Sequence, residues 1–204
     1  MGELKYESVD IKDYLAIEQE DRVRYEYHYG LLIAMAGGSI SHTVIGANIL
    51  VALSNSLDGK NCRAFSSEMK VEIKAKQRYV YPDAGIVCPD FQESNSIKGA
   101  ITNPTVVVEV LSPGSVNYDR DEKMQFYTSL PSVRDYLIVR QDRPVAQLHS
   151  RTRADEPFAM QHYMGLESKI FLPSVEVELA MAKIYDGVTL DPPPKLTFGP
   201  EDFA

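Results

Sequence analysis

Two carboxylates and an amine stand in sequence contexts where chemistry is the economical explanation. Glu109 is the one charge in residues 105–111 (TVVVEVL), a β-branched run that reads as a central strand covered on both faces. A carboxylate there loses its hydration and must be compensated by a cation, a metal or a proton. Asp83 lies in residues 81–88 (YPDAGIVC), where Pro82 and Gly85 restrict a strand to an edge, a bulge or its beginning. Alternation puts Tyr81, Asp83, Gly85 and Val87 on one face, and Thr105, Val107, Glu109 and Leu111 on another. If the two strands pair, one register therefore brings both carboxylates to a common point. Two hard oxygen ligands on adjacent strands suit Mg²⁺, leaving room for waters and a phosphate. Lys123 shares a helical face with Arg120 and Tyr127, next to Phe126 and Leu130, which should face the sheet, so its amine can reach the strand end. Each residue also has a plainer reading: a buried ion pair for Glu109, a Pro-Asp turn for Asp83, an exposed lysine satisfied by Asp119 for Lys123.

The elements that must position these groups follow from periodicity. Ser8 can cap a helix over about 10–20, with Ile11, Tyr14, Leu15 and Ile17 as its apolar stripe. Residues 22–27 and 31–36 flank Tyr29-Gly30 as a hairpin. Ser39 or Ser41 caps a second helix to about Leu57, with Val44, Ala47, Leu50, Val51 and Leu57 on one face and Gly59 at its C-terminal stop. Residues 69–75 alternate apolar and charged side chains like a strand wet on one side, and 79–88 continue the sheet. A helix starting near Asp119 ends before Pro131. Strands follow at 136–140, 144–149, 158–163 and 170–179, then a short helix at 180–185. Strands bracketing single helices indicate an α/β domain with a mixed sheet, over residues 1–190. The proline-rich tail, 191–204, has no periodicity.

Composition bounds the function. The 204 residues carry 21 Lys+Arg against 29 Asp+Glu, a net charge of −8, which disfavours a non-specific nucleic-acid coat. Residues 60–78 (+4) and 134–153 (+3) are locally basic, so a groove could still form; the plainer reading is solvated strand faces. Cys62 and Cys88 lack CxxC spacing, so a disulfide framework or zinc ribbon is not expected, and a reducing cytoplasm is the default location. Residues 27–57 contain no Asp, Glu, Lys or Arg, but glycines and polar residues break the run, so a buried strand and helix are expected rather than a membrane span. Gly37-Gly38-Ser39 lacks the Gly-Lys-Ser/Thr of a nucleotide-binding loop.

The chain resembles the PD-(D/E)xK nuclease superfamily in its Pro82-Asp83, its Glu109 and its lysine. More narrowly, Glu26, Gly30, Met35-Ala36-Gly37, His42, Tyr81-Pro82-Asp83, Val108 to Pro113, Asp119-Arg120, Lys123, Tyr127 and Val133 to Tyr136 resemble, in order and spacing, the Uma-two family of restriction-endonuclease-like proteins. The resemblance covers roughly residues 8–190. It implies a restriction-endonuclease-like mixed sheet flanked by helices, with an N-terminal helix and hairpin. It also implies Mg²⁺-dependent hydrolysis of DNA, with Mn²⁺ able to substitute, and a homodimer. Asp83, Glu109 and the Val110 carbonyl would hold the metal. One departure stands out: Leu111 occupies the place of the (D/E)xK lysine, which Lys123 would supply from the following helix. His42, just after a possible cap, would contact phosphate or support the site, its plainer reading being a satisfied structural histidine. The alternative is a binding module in which Asp83, Glu109 and Lys123 form a buried ion network.

Overall fold

The computed structural model of the chain describes residues 3–35, 37–111 and 123–190. The strand end at 112–114, the helix start near Asp119 and the tail at 191–204 lie outside the described residues. In chain order the elements are β1 (Leu4–Tyr6), α1 (Ile11–Asp21), β2 (Tyr25–His28), β3 (Leu31–Ala34), α2 (Ile40–Ser56), β4 (Arg63–Ser66), β5 (Lys70–Ile73), β6 (Arg78–Val80), β7 (Ala84–Val87), β8 (Ala100–Ile101) and β9 (Val106–Leu111). There follow α3 (Met124–Thr128), β10 (Asp135–Arg140), β11 (Val145–Ser150), β12 (Ala159–Met164), β13 (Lys169–Leu172), β14 (Val177–Ala180) and α4 (Met181–Ile184).

β9 is the centre of the molecule, and its β-branched sequence explains why. It pairs in parallel with β10 and antiparallel with β7, inside a mixed sheet ordered β12-β11-β10-β9-β7-β4. Val106, Val108 and Val110 pack on Ile45, Ile49 and Leu53 of α2 and on the β13–β14 hairpin with α4. Val107 and Leu111 face the other way, onto Val71, Ile73 and Val80 of a second sheet and onto Phe126 and Tyr127 of α3. The second sheet runs β1-β3-β2-β6-β5-β8, and its Tyr25 and Tyr27 pack against Tyr14 of α1. The fold is thus the mixed α/β architecture expected, with the N-terminal helix and hairpin in place.

Several local expectations are corrected. Asp10, not Ser8, caps α1, accepting from the Lys12 N–H. α2 buries Ile45, Ile49 and Leu53, whereas Val51 and Ala47 are exposed. Because the helix has no charged residue, its hydropathy has little phase, and no contrast marks which face is buried. β5 is not wet on one side: Lys70 and Glu72 are buried, satisfied by Glu18 and by the Tyr79 hydroxyl. The 79–88 stretch is not one strand, since Tyr81-Pro82-Asp83 carries the chain from β6 in one sheet to β7 in the other. Cys62 and Cys88 are joined as a disulfide, Cα atoms 4.4 Å apart, one residue beyond the Arg63↔Val87 pair of the β4–β7 ladder. Register made them neighbours, which sequence spacing could not reveal. Within the basic segments, Lys60 donates to the Val175 and Glu176 carbonyls, Arg140 and Arg143 hold Asp142, and Arg151 clamps the Leu130 and Val133 carbonyls. No helix among the described residues is long and apolar enough to cross a membrane.

Gly85 fixes how β7 lies in the sheet. A Cβ there would sit 2.3 Å from the Phe65 ring and 2.6 Å from the Val106 carbonyl oxygen, and backbone cannot retreat. Gly85→Ala is therefore expected to destabilise the protein by about 2–3 kcal/mol, read as a lowered urea midpoint. An unchanged midpoint would show that β7 is not held in this register.

Candidate functional site

The register of β7 on β9 decides where the carboxylates go. Ala84 lies opposite Val108 and Gly85 opposite Val107, so Asp83, the residue before β7, is level with Glu109 along the two backbones. Asp83 is held by its backbone neighbour, since the Val110 N–H donates to Oδ2 at 2.7 Å. His42, in the first turn of α2, places Nε2 3.3 Å from the same oxygen. The helix is oriented there by Ser39, whose hydroxyl accepts from the His42 N–H and donates to Gln141. Gly38 makes room for the imidazole, because a Cβ would lie 2.7 Å from its Nδ1.

Glu109 points into the space between the two sheets, where it is almost fully buried. Its Oε1 accepts from the Lys123 amine at 3.2 Å and from the Tyr127 hydroxyl at 3.0 Å. Lys123, immediately before α3, therefore does reach the end of β9. Burial, then the adjacent Glu109 charge, push the Tyr127 phenol well above its ordinary value, so it stays a donor.

One charged member of the cluster was given no role by sequence reasoning. Glu26 of β2 places Oε1 3.0 Å from the Lys123 amine, so the lysine bridges the two sheets, Glu26 on one and Glu109 on the other. Burial pushes the Glu26 carboxyl upward, but Lys123 and the hydrogen bond and charge of His28 outweigh it and hold the group at about 2. Behind it, Arg78 contacts the His28 Nδ1 and lies over the Phe126 ring, 3.9 Å from its centroid. The signal was present in the alternation Tyr25-Glu26-Tyr27-His28, which puts two aromatics on one face and two polar groups on the other. A buried polar face and a wet face look alike in that pattern.

Asp83 and His42 thus form a wetter pair anchored on the Val110 N–H, and Glu109, Lys123, Glu26 and Tyr127 form a dry cluster that begins at the adjacent residue of β9. Among the described residues no three His, Cys, Asp or Glu side chains converge on a single point. A hard cation would accordingly draw on the Asp83 and Glu109 carboxylates and backbone oxygen.

The sequence pattern of the Uma2 family, described as "Putative restriction endonuclease", matches residues 11–181. The chain belongs to the Uma2 family. The matched span contains every residue of the cluster, from Glu26 to Tyr127. An uncharacterized protein of Synechocystis sp. is 33% identical over 178 residues, covering 87% of this chain and 91% of the relative. A second uncharacterized protein of the same organism is 26% identical over 172 residues, 84% of this chain and 93% of the relative. The crystal structure of a protein from Anabaena variabilis, described as "a putative nuclease belonging to DUF820", superposes with a TM-score of 0.63 at 13% identity, covering 82% of this chain and 93% of that one. At that identity the likeness is one of fold, and the Uma2 chain shares the nuclease-like architecture of its neighbour.

Proposed function

We infer that this Uma2 protein is a metal-dependent nuclease that hydrolyses DNA phosphodiester bonds. The observation that carries the reading is the β7–β9 register, which sets Asp83 level with Glu109 along the two backbones, with the Lys123 amine already on Glu109. The donor set fits a hard divalent ion: two carboxylates suffice for Mg²⁺ or Mn²⁺ when waters and substrate phosphate complete the shell. A strand residue sends its N–H and C=O to the same edge, so the Val110 carbonyl belongs on the Asp83 side as a third oxygen. Around Lys123, the two carboxylates Glu26 and Glu109 leave an acidic surplus that a divalent cation offsets. When bound, the ion supplies charge to the scissile phosphate and lowers the pKa of an attacking water. Asp83, braced by Val110 and His42, presents its carboxylate at the wetter end of the site. Lys123 holds a positive charge beside Glu109, placed to orient water or offset charge developing on the phosphate. Tyr127 fixes the Glu109 carboxylate.

The buried Glu26–Lys123–Glu109 triad also fits a second reading, a binding module whose ion network is purely structural. Titration calorimetry with Mn²⁺ separates the two. Saturable binding to the wild type that is lost in Asp83→Ala is expected for the nuclease, and a silent titration of the wild type refutes it.

A further inference from the structure

A crevice of about 580 Å³ opens at Asp83 and His42 and runs along the outer side of α2, past Thr43, Gly46 and Leu50. Its far wall is the α1–β2 connection, with Arg22 and Arg24, and the Ser66-Ser67 turn. Two residues in this lining contradict the preference of their own backbone. Gly46 is interior to a 17-residue helix, where glycine is disfavoured, and a Cβ there would meet nothing within 4 Å. Gly38 and Gly85, by contrast, are required by atoms of the protein itself, His42 in one case and Phe65 with Val106 in the other. Arg22 shows the converse: it ends α1 in the left-handed region at φ 53°, a position glycine fills without strain. A side chain is missing where the helix would favour one and present where the turn would favour none, and both exceptions face the same crevice.

The lining is also electrostatically distinct. In a chain of net charge −8, it carries two arginines and a single carboxylate, Asp83. Arg24 is engaged by the Ser67 carbonyl and exposed Glu68, whereas Arg22 makes no ion pair among the described residues. The crevice is concave, with apolar surface at Met35, Ala47 and Leu50, so it suits a flexible segment of one strand.

We propose that this crevice receives an unpaired nucleic-acid strand and leads its phosphate to Asp83, with Gly46 leaving space for the nucleotide and Arg22 meeting the backbone. The proposal rests on the nuclease reading for what happens at Asp83, but its test is one of binding. Fluorescence anisotropy with a labelled single-stranded DNA of about 12 nucleotides, in EDTA to prevent cleavage, is compared with the same sequence as a blunt duplex. The single strand is expected to bind the full-length protein about tenfold more tightly than the duplex. Gly46→Leu should lose about tenfold in affinity, and Arg22→Gly a comparable amount that shrinks as salt rises. Gly46→Ala and Arg22→Gly should at the same time raise the melting temperature by about 2–4 °C, a combination that a purely structural role does not produce. Wild-type affinity in both Gly46→Leu and Arg22→Gly, or tighter binding of the duplex, would overturn the proposal. Cleavage in Mg²⁺ or Mn²⁺ is scored separately on the wild type. Binding with these losses but no cleavage removes the nuclease reading and leaves the crevice; cleavage with unaltered binding by the variants removes the crevice and leaves the nuclease.

Discussion

Glu109→Gln is expected to reduce Mn²⁺-supported DNA hydrolysis by about a thousandfold or more while the protein stays folded. Glutamine keeps the volume of the side chain and an oxygen for the Tyr127 hydroxyl, so packing between the sheets is preserved. What it removes is one negative charge from a dry site containing Glu26, Glu109 and Lys123. Lys123 remains compensated by Glu26, and the buried triad passes from one net negative charge to none, which folding tolerates better than losing the lysine. A hydrolysis assay paired with a melting curve reads both halves. An unaltered rate would refute the assignment of Glu109, and a collapsed melting temperature would mean that its charge is needed for folding itself.

Some of this site was legible from residue types alone. Glu109 could be read because a β-branched run leaves a carboxylate no solvent, and Asp83 because alternation on both strands made one register meaningful. Lys123 could be placed near the strand end because Phe126, three residues on, marks the face turned to the sheet. Glu26 was not legible by the same logic, nor were Lys70 and Glu72 of β5. In each case alternation identified a polar face without revealing that a second layer covers it. The wrong stripe on α2 has a related origin. Burial contrast along a helix is read from charge, and a helix without charges offers none, so only packing against β9 and α4 selected Ile45, Ile49 and Leu53. The Pro82-Asp83 break was visible as a disturbance of β structure. That the chain changes sheets there depends on which strands pair, a property of the whole fold. The same long-range register brought Cys62 to Cys88.

Lys123→Met tests the bridge between the sheets, and its effect should depend on pH in a definite direction. Methionine fills similar space but leaves Glu26 and Glu109 facing each other across a dry gap with their shared cation gone. Removing one partner from such a buried arrangement costs about 3–5 kcal/mol, and the loss is expected in a urea titration near neutral pH. In the wild type the Glu26 carboxyl is held at about 2 against an ordinary value of 4.5. A depressed carboxyl stabilises the fold fully above its unfolded value, here about 3 kcal/mol, and that contribution is lost as pH falls from about 4.5 toward 2. The variant lacks Lys123, the largest of the influences that lower Glu26, and keeps only those of His28 against burial, so the Glu26 carboxyl takes up a proton more readily when folded and acid relieves rather than adds to its defect. Wild type and variant should therefore differ most in stability near neutrality and converge as pH falls through 4.5. Equal stability near neutral pH would mean that Lys123 does not hold Glu26 and Glu109 together. A gap that widened in acid would place the stabilising charge elsewhere in the molecule.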